Sequence, residues 1–181
     1  MAEKNHIELV KTTYKQFEEF LQRKGIFLAK DTGIGYWGVT PLQELHDFFM
    51  HLNLGKHKHL LDLGSGDGRV VLLAAALGIT ATGVEADDWL MQCAQELKRK
   101  INHPSMQNAT FLSDDFMKLN IGAYDLVYVS PDKPFHRGLE RKLIAELNGT
   151  LIVHSYEFLP SALKLQTQFK AHGELFSMYK K

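Results

Sequence analysis

A glycine-rich loop between an apolar strand and an apolar helix is the feature that most constrains the fold of this chain. Residues 59–63 read His-Leu-Leu-Asp-Leu, a run typical of a buried strand. The loop 64–68 follows and leads into an apolar stretch over 70–77 that Gly78 closes. Glycines let a backbone turn tightly and approach a ligand closely, and the next helix offers unpaired N–H groups. The sequence therefore predicts a strand, loop and helix that bind a ligand at the loop.

The rest of the chain alternates strand-like and helix-like segments. Strand patterns occur at 80–84, 110–112, 126–129 and 150–154, and helix patterns at 87–101 and 136–147. Two extended runs at 162–169 and 174–180 end the chain and are typical of an antiparallel pair. This order predicts an α/β fold: a doubly wound, mostly parallel seven-stranded sheet with an antiparallel last strand and helices on both faces.

The segment before the glycine loop predicts a helix and a lid. Apolar residues recur at three- and four-residue steps over 5–24, which indicates an amphipathic helix that Gly25 ends. Residues 33–39 combine glycines with Tyr36 and Trp37, a composition that suits a loop closing over a ligand.

A second helix is predicted to begin at Thr40. Thr40 can cap it, Pro41 suits the first helical position, and Gln43 completes a capping box. We therefore divide the chain into an N-terminal helix with a lid-like segment, 1–39, and a ligand-binding domain, 40–181.

Composition narrows the range of partners. Lysine plus arginine equal aspartate plus glutamate at 21 each, so no bulk field draws the chain to nucleic acid or anionic lipid. Cys93 is the only cysteine, which excludes an internal disulfide and fits a reducing compartment. No apolar run is long enough to span a membrane, none at the start resembles a secretion signal, and no histidine spacing resembles a metal site. We expect a cytoplasmic protein without a metal and without membrane binding.

Three ligands could use the glycine loop. A P-loop requires Gly-Lys-Ser/Thr, and Gly68-Arg69-Val70 lacks it. A dinucleotide loop requires a small third residue where Arg69 stands, and Arg69 would crowd a diphosphate. The tighter glycine spacing with Asp62 before it suits a ligand without phosphate, such as S-adenosylmethionine, whose ammonium an acid can pair.

Acidic residues follow the next two strands. Glu85, beside Ala86, stands about 20 residues beyond the loop, where an acid can bridge ribose hydroxyls. Asp114 or Asp115 can accept the adenine amino group, while Phe116 covers the ring. Each acid also has a purely structural interpretation, as a strand-end residue or a helix cap.

The motif Asp62-Leu63-Gly64-Ser65-Gly66-Asp67-Gly68 with Val84-Glu85 resembles the class I S-adenosylmethionine-dependent methyltransferase family from about Thr40 to the C-terminus. Residues 36–41, 62–70 and 149–158 further resemble small protein-lysine methyltransferases of archaeal and mitochondrial type. The resemblance implies S-adenosyl-L-methionine as cofactor and S-adenosyl-L-homocysteine as product. The candidate donor-binding residues are Tyr36, Thr40, Asp62, Gly64, Ser65, Gly66, Gly68, Glu85, Ala86, Asp114, Asp115, Phe116 and Ser130.

The reaction site is expected at the end of the fourth predicted strand. Ser130-Pro131 stands where a donor methyl would point. The Asn/Asp/Ser-Pro-Pro-aromatic tetrad of nucleic-acid amino methyltransferases is interrupted there by Asp132-Lys133. Methyl transfer from a sulfonium depends mainly on alignment. Ser130 and Tyr156 could orient an amine, and Asp132 or Glu157 could take its proton. The candidate catalytic residues are Ser130, Pro131, Asp132 and Tyr156.

The acceptor is expected to be a macromolecule. No inserted domain encloses a small molecule, so an open site suits a side chain of a large partner. Lysine on a protein is the first choice, ahead of an RNA base or a small molecule. A different class is a non-catalytic partner protein that only binds S-adenosylmethionine. The oligomeric state stays open.

Overall fold

The computed structural model describes residues 2–33, 35–54, 59–135 and 138–181, with side chains from His6 onward. Five α-helices are described: α1 Ala2–Arg23, α2 Leu42–Leu52, α3 Arg69–Ala76, α4 Asp88–Ile101 and α5 Leu139–Glu146. Nine strands are described: β1 Ala29–Asp31, β2 Tyr36–Gly38, β3 His59–Leu63, β4 Thr80–Glu85, β5 Ala109–Ser113, β6 Leu126–Val129, β7 Thr150–His154, β8 Lys164–Ala171 and β9 Glu174–Lys180.

The main sheet has seven strands in the order β5-β4-β3-β6-β7-β9-β8. Strands β3 to β7 pair in parallel, while β9 runs antiparallel between β7 and β8. The predicted doubly wound, mostly parallel sheet with an antiparallel last strand is thereby confirmed. The order reverses at β3, so the glycine loop that follows β3 lies where open α/β sheets bind their ligands.

Apolar side chains of the parallel strands alternate between two cores. Leu60 joins the core beneath α1 to α4, whereas its neighbour Leu61 joins the core beneath α5. Alternation of this kind follows from the two-residue period of a strand. Helices therefore cover both faces, which buries the sheet on each side. Among the described residues, no helix combines the length and apolarity needed to cross a bilayer.

Two segments outside the main sheet differ from the sequence prediction or are only partly described. The segment predicted as a loop contains an antiparallel hairpin in which Asp31 pairs with Tyr36 and Ala29 with Gly38. The predicted helix start at His136 lies outside the described residues, and α5 is described from Leu139.

The capping box predicted at Thr40 is wrong. Pro41 occupies the N-cap position of α2, its backbone is extended, and no side chain caps the helix. The Gln43 side chain instead accepts a hydrogen bond from Lys11 Nζ at 2.8 Å and donates one to Asp47 Oδ1 at 2.8 Å. Contact with α1 therefore outweighs the local capping preference of the sequence.

A buried guanidinium joins α1 to the glycine loop. Arg69 Nη2 lies 2.6 Å from Asp67 Oδ2, and its Nη1 donates to Glu18 Oε1 and to the Thr40 carbonyl oxygen, each at 2.9 Å. The guanidinium also lies over the Tyr14 ring, whose hydroxyl donates to the Asp67 carbonyl oxygen. One side chain thus ties three separate segments together.

We expect Arg69→Met to lower the free energy of unfolding by about 3–5 kcal/mol, because it leaves the Asp67 carboxylate buried without its partner. Glu18→Gln is the matched control: Glu18 is partly exposed, and its amide oxygen can still accept from Arg69. Urea unfolding followed by circular dichroism measures both variants. Equal, small losses for the two would show that Arg69 does not hold the loop.

Candidate active site

Two adjoining cavities lie at the carboxyl ends of the parallel strands. Apolar side chains predominate in the first cavity, and polar groups are concentrated in the second. The residues that line both cavities are Tyr36, Trp37, Gly64, Ser130, Pro131 and Asp132. The glycine loop, the hairpin and the segment after β6 therefore meet at one place, as the sequence predicted for a ligand site.

The first cavity has the chemical character expected for an aromatic base with a sugar. Leu63, Leu90 and Phe116 contribute apolar surface, and the carboxyl-bearing residues Glu85 and Asp115 also line it. Ala86 lines this cavity directly after β4. An apolar slot with a few polar groups suits a ring that must be both buried and oriented.

Glu85 organises the glycine loop itself. Its Oε2 accepts a hydrogen bond from the Gly66 N–H at 2.9 Å, and its Oε1 accepts from the N–H groups of Ala86 and Asp87, both at 2.8 Å. The carboxylate is thus turned toward backbone donors at the rim of the first cavity. The contact of Glu85 with ribose stays a prediction. Substitution of Glu85 would disturb the conformation of the glycine loop as well as ligand binding.

The glycines of the loop have different roles. Gly66 has φ 55°, and an added Cβ would lie 2.6 Å from Trp37 Cδ1. Gly68 has φ 79°, and an added Cβ would lie 2.6 Å from Phe111 Cζ. Gly66 is therefore needed for the cavity wall, whereas Gly68 lets α3 pack against β5 and does not line either cavity.

Asp62 is a buried acid that has no cationic partner in the part of the chain that the structure describes. Only 3% of the residue is exposed, and burial raises its pKa well above the ordinary range, with Glu85 and Asp67 adding negative charge. Among the described residues, no cation forms an ion pair with it, since Arg69 is committed to Asp67 and Glu18. An ammonium brought by a ligand would remove this electrostatic penalty.

Three residues that line the second cavity each contain a buried polar atom without a hydrogen-bond partner in the described part of the chain. Four buried side-chain polar atoms of the described residues have no hydrogen-bond partner, and three of them belong to Ser65, Tyr128 and His154, which line this cavity. The Tyr128 hydroxyl lies next to Thr40, but no bond of normal geometry joins them. Polar residues thus line the second cavity, which suits a polar ligand such as the amino-acid end of S-adenosylmethionine.

The predicted reaction segment lies where the two cavities meet. Asp132 Oδ2 accepts a hydrogen bond from the Tyr36 N–H at 2.7 Å and lies 3.7 Å from Lys133 Nζ. The Ser130 hydroxyl points toward the His154 carbonyl oxygen at 3.4 Å. Tyr156 is 53% exposed and lines neither cavity, and Glu157 is exposed beside it, so the structure does not bring these two residues into the site.

The two acids after β5 have different environments, and only one of them lines a cavity. Asp115 lines the first cavity, and its Oδ1 accepts from the Met117 N–H at 2.9 Å as a helix cap. Asp114 does not line either cavity, and its exposed carboxylate lies 3.6 Å from Lys118 Nζ. Only Asp115 and Phe116 are therefore placed for the predicted adenine contact.

The hairpin is held against the start of α4. Lys30 Nζ donates to Asp87 Oδ2 at 2.8 Å and lies 4.9 Å from the Trp89 ring centroid. Trp37 meets Trp89 edge to face with ring centroids 6.0 Å apart, and only 7% of Trp37 is exposed. The hairpin thus forms a wall of both cavities, with Trp37 also part of the core.

Sequence reasoning missed His154 and Trp89. His154 ends β7, and the only signal for it in the sequence was its position at the carboxyl end of a buried strand.

No metal site was predicted, and the part of the chain that the structure describes holds no group of three or more His, Cys, Asp or Glu placed to bind a metal ion.

We expect Asp62→Asn to raise the melting temperature while weakening S-adenosylhomocysteine binding by about tenfold or more. An acid whose pKa is raised by folding destabilises the fold increasingly as pH rises above the ordinary value, so the gain is larger at pH 8 than at pH 6 and disappears near pH 4. Each kcal/mol relieved adds roughly 2–4 °C for a chain of this size. Scanning fluorimetry at these pH values and calorimetry measure the two effects, with exposed Glu96→Gln as control. A lower melting temperature at pH 8 would contradict this interpretation of Asp62.

Comparison with known proteins identifies the family. A family model described as the ANTKMT methyltransferase domain matches residues 62–165, more than half of the chain. The human lysine N-methyltransferase of the ATP synthase C-subunit is 37% identical over 100 residues, which are 55% of this chain and 42% of the human protein. The Caenorhabditis elegans protein of the same name is 30% identical over 131 residues, which are 71% of this chain and 68% of that protein. The chain thus spans less than half the length of the human relative.

A solved structure agrees in fold. An RNA methyltransferase from Salinibacter ruber, in complex with S-adenosyl-L-homocysteine, superposes with a TM-score of 0.66 at 23% identity, covering 78% of this chain and 92% of that one. The sequence matches confirm the resemblance to class I methyltransferases and, with it, S-adenosyl-L-methionine as the cofactor. The chain belongs to the ANTKMT methyltransferase domain family.

Proposed function

We propose that this chain transfers a methyl group from S-adenosylmethionine to the ε-amino group of a lysine on a protein. The observation that carries the proposal is the place of Asp132, a carboxylate at the junction of the two cavities. The name shared by the human and nematode relatives, a lysine N-methyltransferase, supports the acceptor class.

The donor would occupy both cavities. The first would hold the adenosine, with Phe116, Leu90 and Asp115 around the base. The second would hold the amino-acid end, with Asp62 opposite the ammonium. When bound, the donor supplies a methyl group already activated by a sulfonium, so the protein has little bond-breaking chemistry to perform and mainly aligns the two reactants.

The acceptor amine must be neutral before it can attack. A free lysine has a pKa of about 10.4, so most of it carries the extra proton near neutral pH. Asp132 can accept a hydrogen bond from the ammonium and take its proton, because the Tyr36 N–H uses only part of its bonding capacity. The Ser130 hydroxyl lies in the same segment and can orient the amine.

The mouth of the site suits a long aliphatic side chain. Tyr36 is 56% exposed at the rim, and Pro131 and Phe135 lie along the wall of the first cavity. Apolar rings of this kind can pack against the methylene groups of lysine while the amine reaches the junction. Protein is thus favoured over RNA as the methyl acceptor.

The cytoplasmic location inferred from the sequence stays a prediction.

The experiment that tests the proposal uses a labelled methyl group. The purified chain is incubated with labelled S-adenosylmethionine and an extract of its own cells, and the labelled products are separated into protein, RNA and metabolites. We expect label in protein, with mass spectrometry placing the added methyl groups on lysine. Asp62→Asn is the control, because we expect it to stay folded and to bind the donor poorly. Label confined to RNA or to small molecules would contradict the proposal.

We expect Asp132→Asn to lower kcat by about a hundredfold or more, the usual contribution of a positioned proton acceptor, while donor affinity changes little. Asparagine retains an oxygen that can accept from the Tyr36 N–H, so the hairpin keeps its contact. Steady-state kinetics with labelled S-adenosylmethionine and the lysine-containing protein labelled in the transfer assay measure the change. An unaltered kcat would remove Asp132 from the reaction.

The adjacent aromatic residues of the hairpin are expected to behave differently. Trp37→Ala should cost about 3–5 kcal/mol of stability, because Trp37 is buried against the glycine loop and Trp89. Tyr36→Ala should change stability by only about 0.5 kcal/mol, since Tyr36 is exposed, yet slow methyl transfer by opening the acceptor channel. Melting curves and initial rates separate the two effects. Normal transfer by the Tyr36 variant would exclude its role in the channel.

A further inference from the structure

His154 lines the second cavity, and one of its ring nitrogens is buried without a hydrogen-bond partner among the described residues. Its Nε2 lies 2.6 Å from Glu174 Oε2, and an ionised carboxylate can only accept, so Nε2 carries the ring proton. Burial lowers the pKa of His154, although Glu174 acts in the opposite direction, so the ring is neutral at neutral pH. Its other nitrogen, Nδ1, is then a hydrogen-bond acceptor.

The ring is held in one orientation. It stacks on Phe176 with ring centroids 4.5 Å apart and an interplanar angle of 12°. Only 8% of the residue is exposed, and Nδ1 is buried with no hydrogen-bond partner among the described residues. A fixed acceptor that lacks a donor is costly in a folded protein unless a ligand supplies one.

Strand register places this acceptor on the same wall as Asp62. Asp62 pairs with Tyr128 across β3 and β6, and Tyr128 pairs with Ile152 across β6 and β7. His154 is two residues beyond Ile152, so its side chain shares the face of the sheet with Asp62 and Tyr128. All three residues line the second cavity.

We propose that His154 is a positioning residue for the methyl donor, its Nδ1 accepting an N–H from the donor's α-ammonium while Asp62 supplies the opposing charge. The inference rests on the donor half of the proposed function and does not depend on the acceptor being lysine. A neutral acceptor beside a buried anion matches an ammonium, whereas a carboxylate or phosphate at the same place would face only lone pairs and negative charge. Glu174 contributes by fixing which nitrogen holds the proton.

Calorimetry with two ligands tests the proposal. S-adenosylhomocysteine carries the amino-acid end, and 5′-methylthioadenosine lacks it while retaining the adenosine and the sulfur. We expect His154→Phe, which keeps a ring against Phe176, to weaken S-adenosylhomocysteine binding by about tenfold or more and to leave methylthioadenosine binding unchanged. His154→Gln, which restores an acceptor oxygen, should recover part of the affinity.

A third ligand identifies the group that His154 contacts. An analogue of S-adenosylhomocysteine with hydrogen in place of the α-amino group should bind the wild type and His154→Phe equally well. Equal losses for all three ligands would indicate a general distortion of the site, and unchanged S-adenosylhomocysteine binding would remove His154 from it. Either result overturns the inference.

The outcomes also separate this inference from the proposed function. Wild-type binding of S-adenosylhomocysteine with normal binding by His154→Phe overturns the role of His154 alone. Label that goes to RNA in the transfer assay overturns the lysine acceptor and leaves His154 in place. A wild-type chain that binds none of the three ligands contradicts both.

Discussion

The buried guanidinium of Arg69 fixes the geometry on which the site depends. It joins Asp67 in the glycine loop, Glu18 on α1 and the carbonyl of Thr40, and Thr40 and Asp67 themselves line the second cavity. A buried charge persists only where its partners are in place, so these three segments keep their relative positions together. The N-terminal helix is therefore part of the architecture of the site, although it lies far from the glycine loop in sequence.

Three buried acidic side chains lie at the site, and one of them lowers the stability of the fold. Asp62, Asp67 and Glu85 are all buried, and their uses differ: Asp67 pairs with Arg69, Glu85 caps backbone N–H groups, and Asp62 has no cationic partner among the described residues. Burial raises the pKa of Asp62, so ionisation of this carboxyl destabilises the folded protein unless a cationic ligand binds beside it. Binding sites often retain such groups, because recognition depends on charges that the fold alone does not satisfy.

Local patterns in the sequence predicted most of the fold. The boundaries at 126–129 and 150–154 coincide with β6 and β7, because short apolar runs bounded by polar residues have few alternatives in an α/β protein. The glycine spacing and Asp62 likewise located the cavities. The capping box at Thr40 was wrong because the Gln43 side chain bonds instead to Lys11 on α1 and to Asp47 one turn along α2.

Contacts between distant segments account for the rest of the site. Tyr156 follows β7 closely, yet the turn after β7 leaves it exposed. His154, in contrast, lies in the site although the sequence did not indicate it, because a single histidine forms no pattern. Only the pairing of β7 with β6 and β9 brings His154 beside Tyr128 and Glu174. The contact of Trp37 with Trp89 similarly depends on how the hairpin folds back over α4.

The central claim is that the glycine loop and its two cavities hold S-adenosylmethionine. Isothermal titration of the purified chain with S-adenosylhomocysteine and, separately, with NAD tests it most directly. The account predicts saturable binding of S-adenosylhomocysteine at one site per chain and no heat from NAD, because the buried carboxyl groups of Asp62 and Glu85 would repel a diphosphate. Binding of NAD without binding of S-adenosylhomocysteine would contradict it.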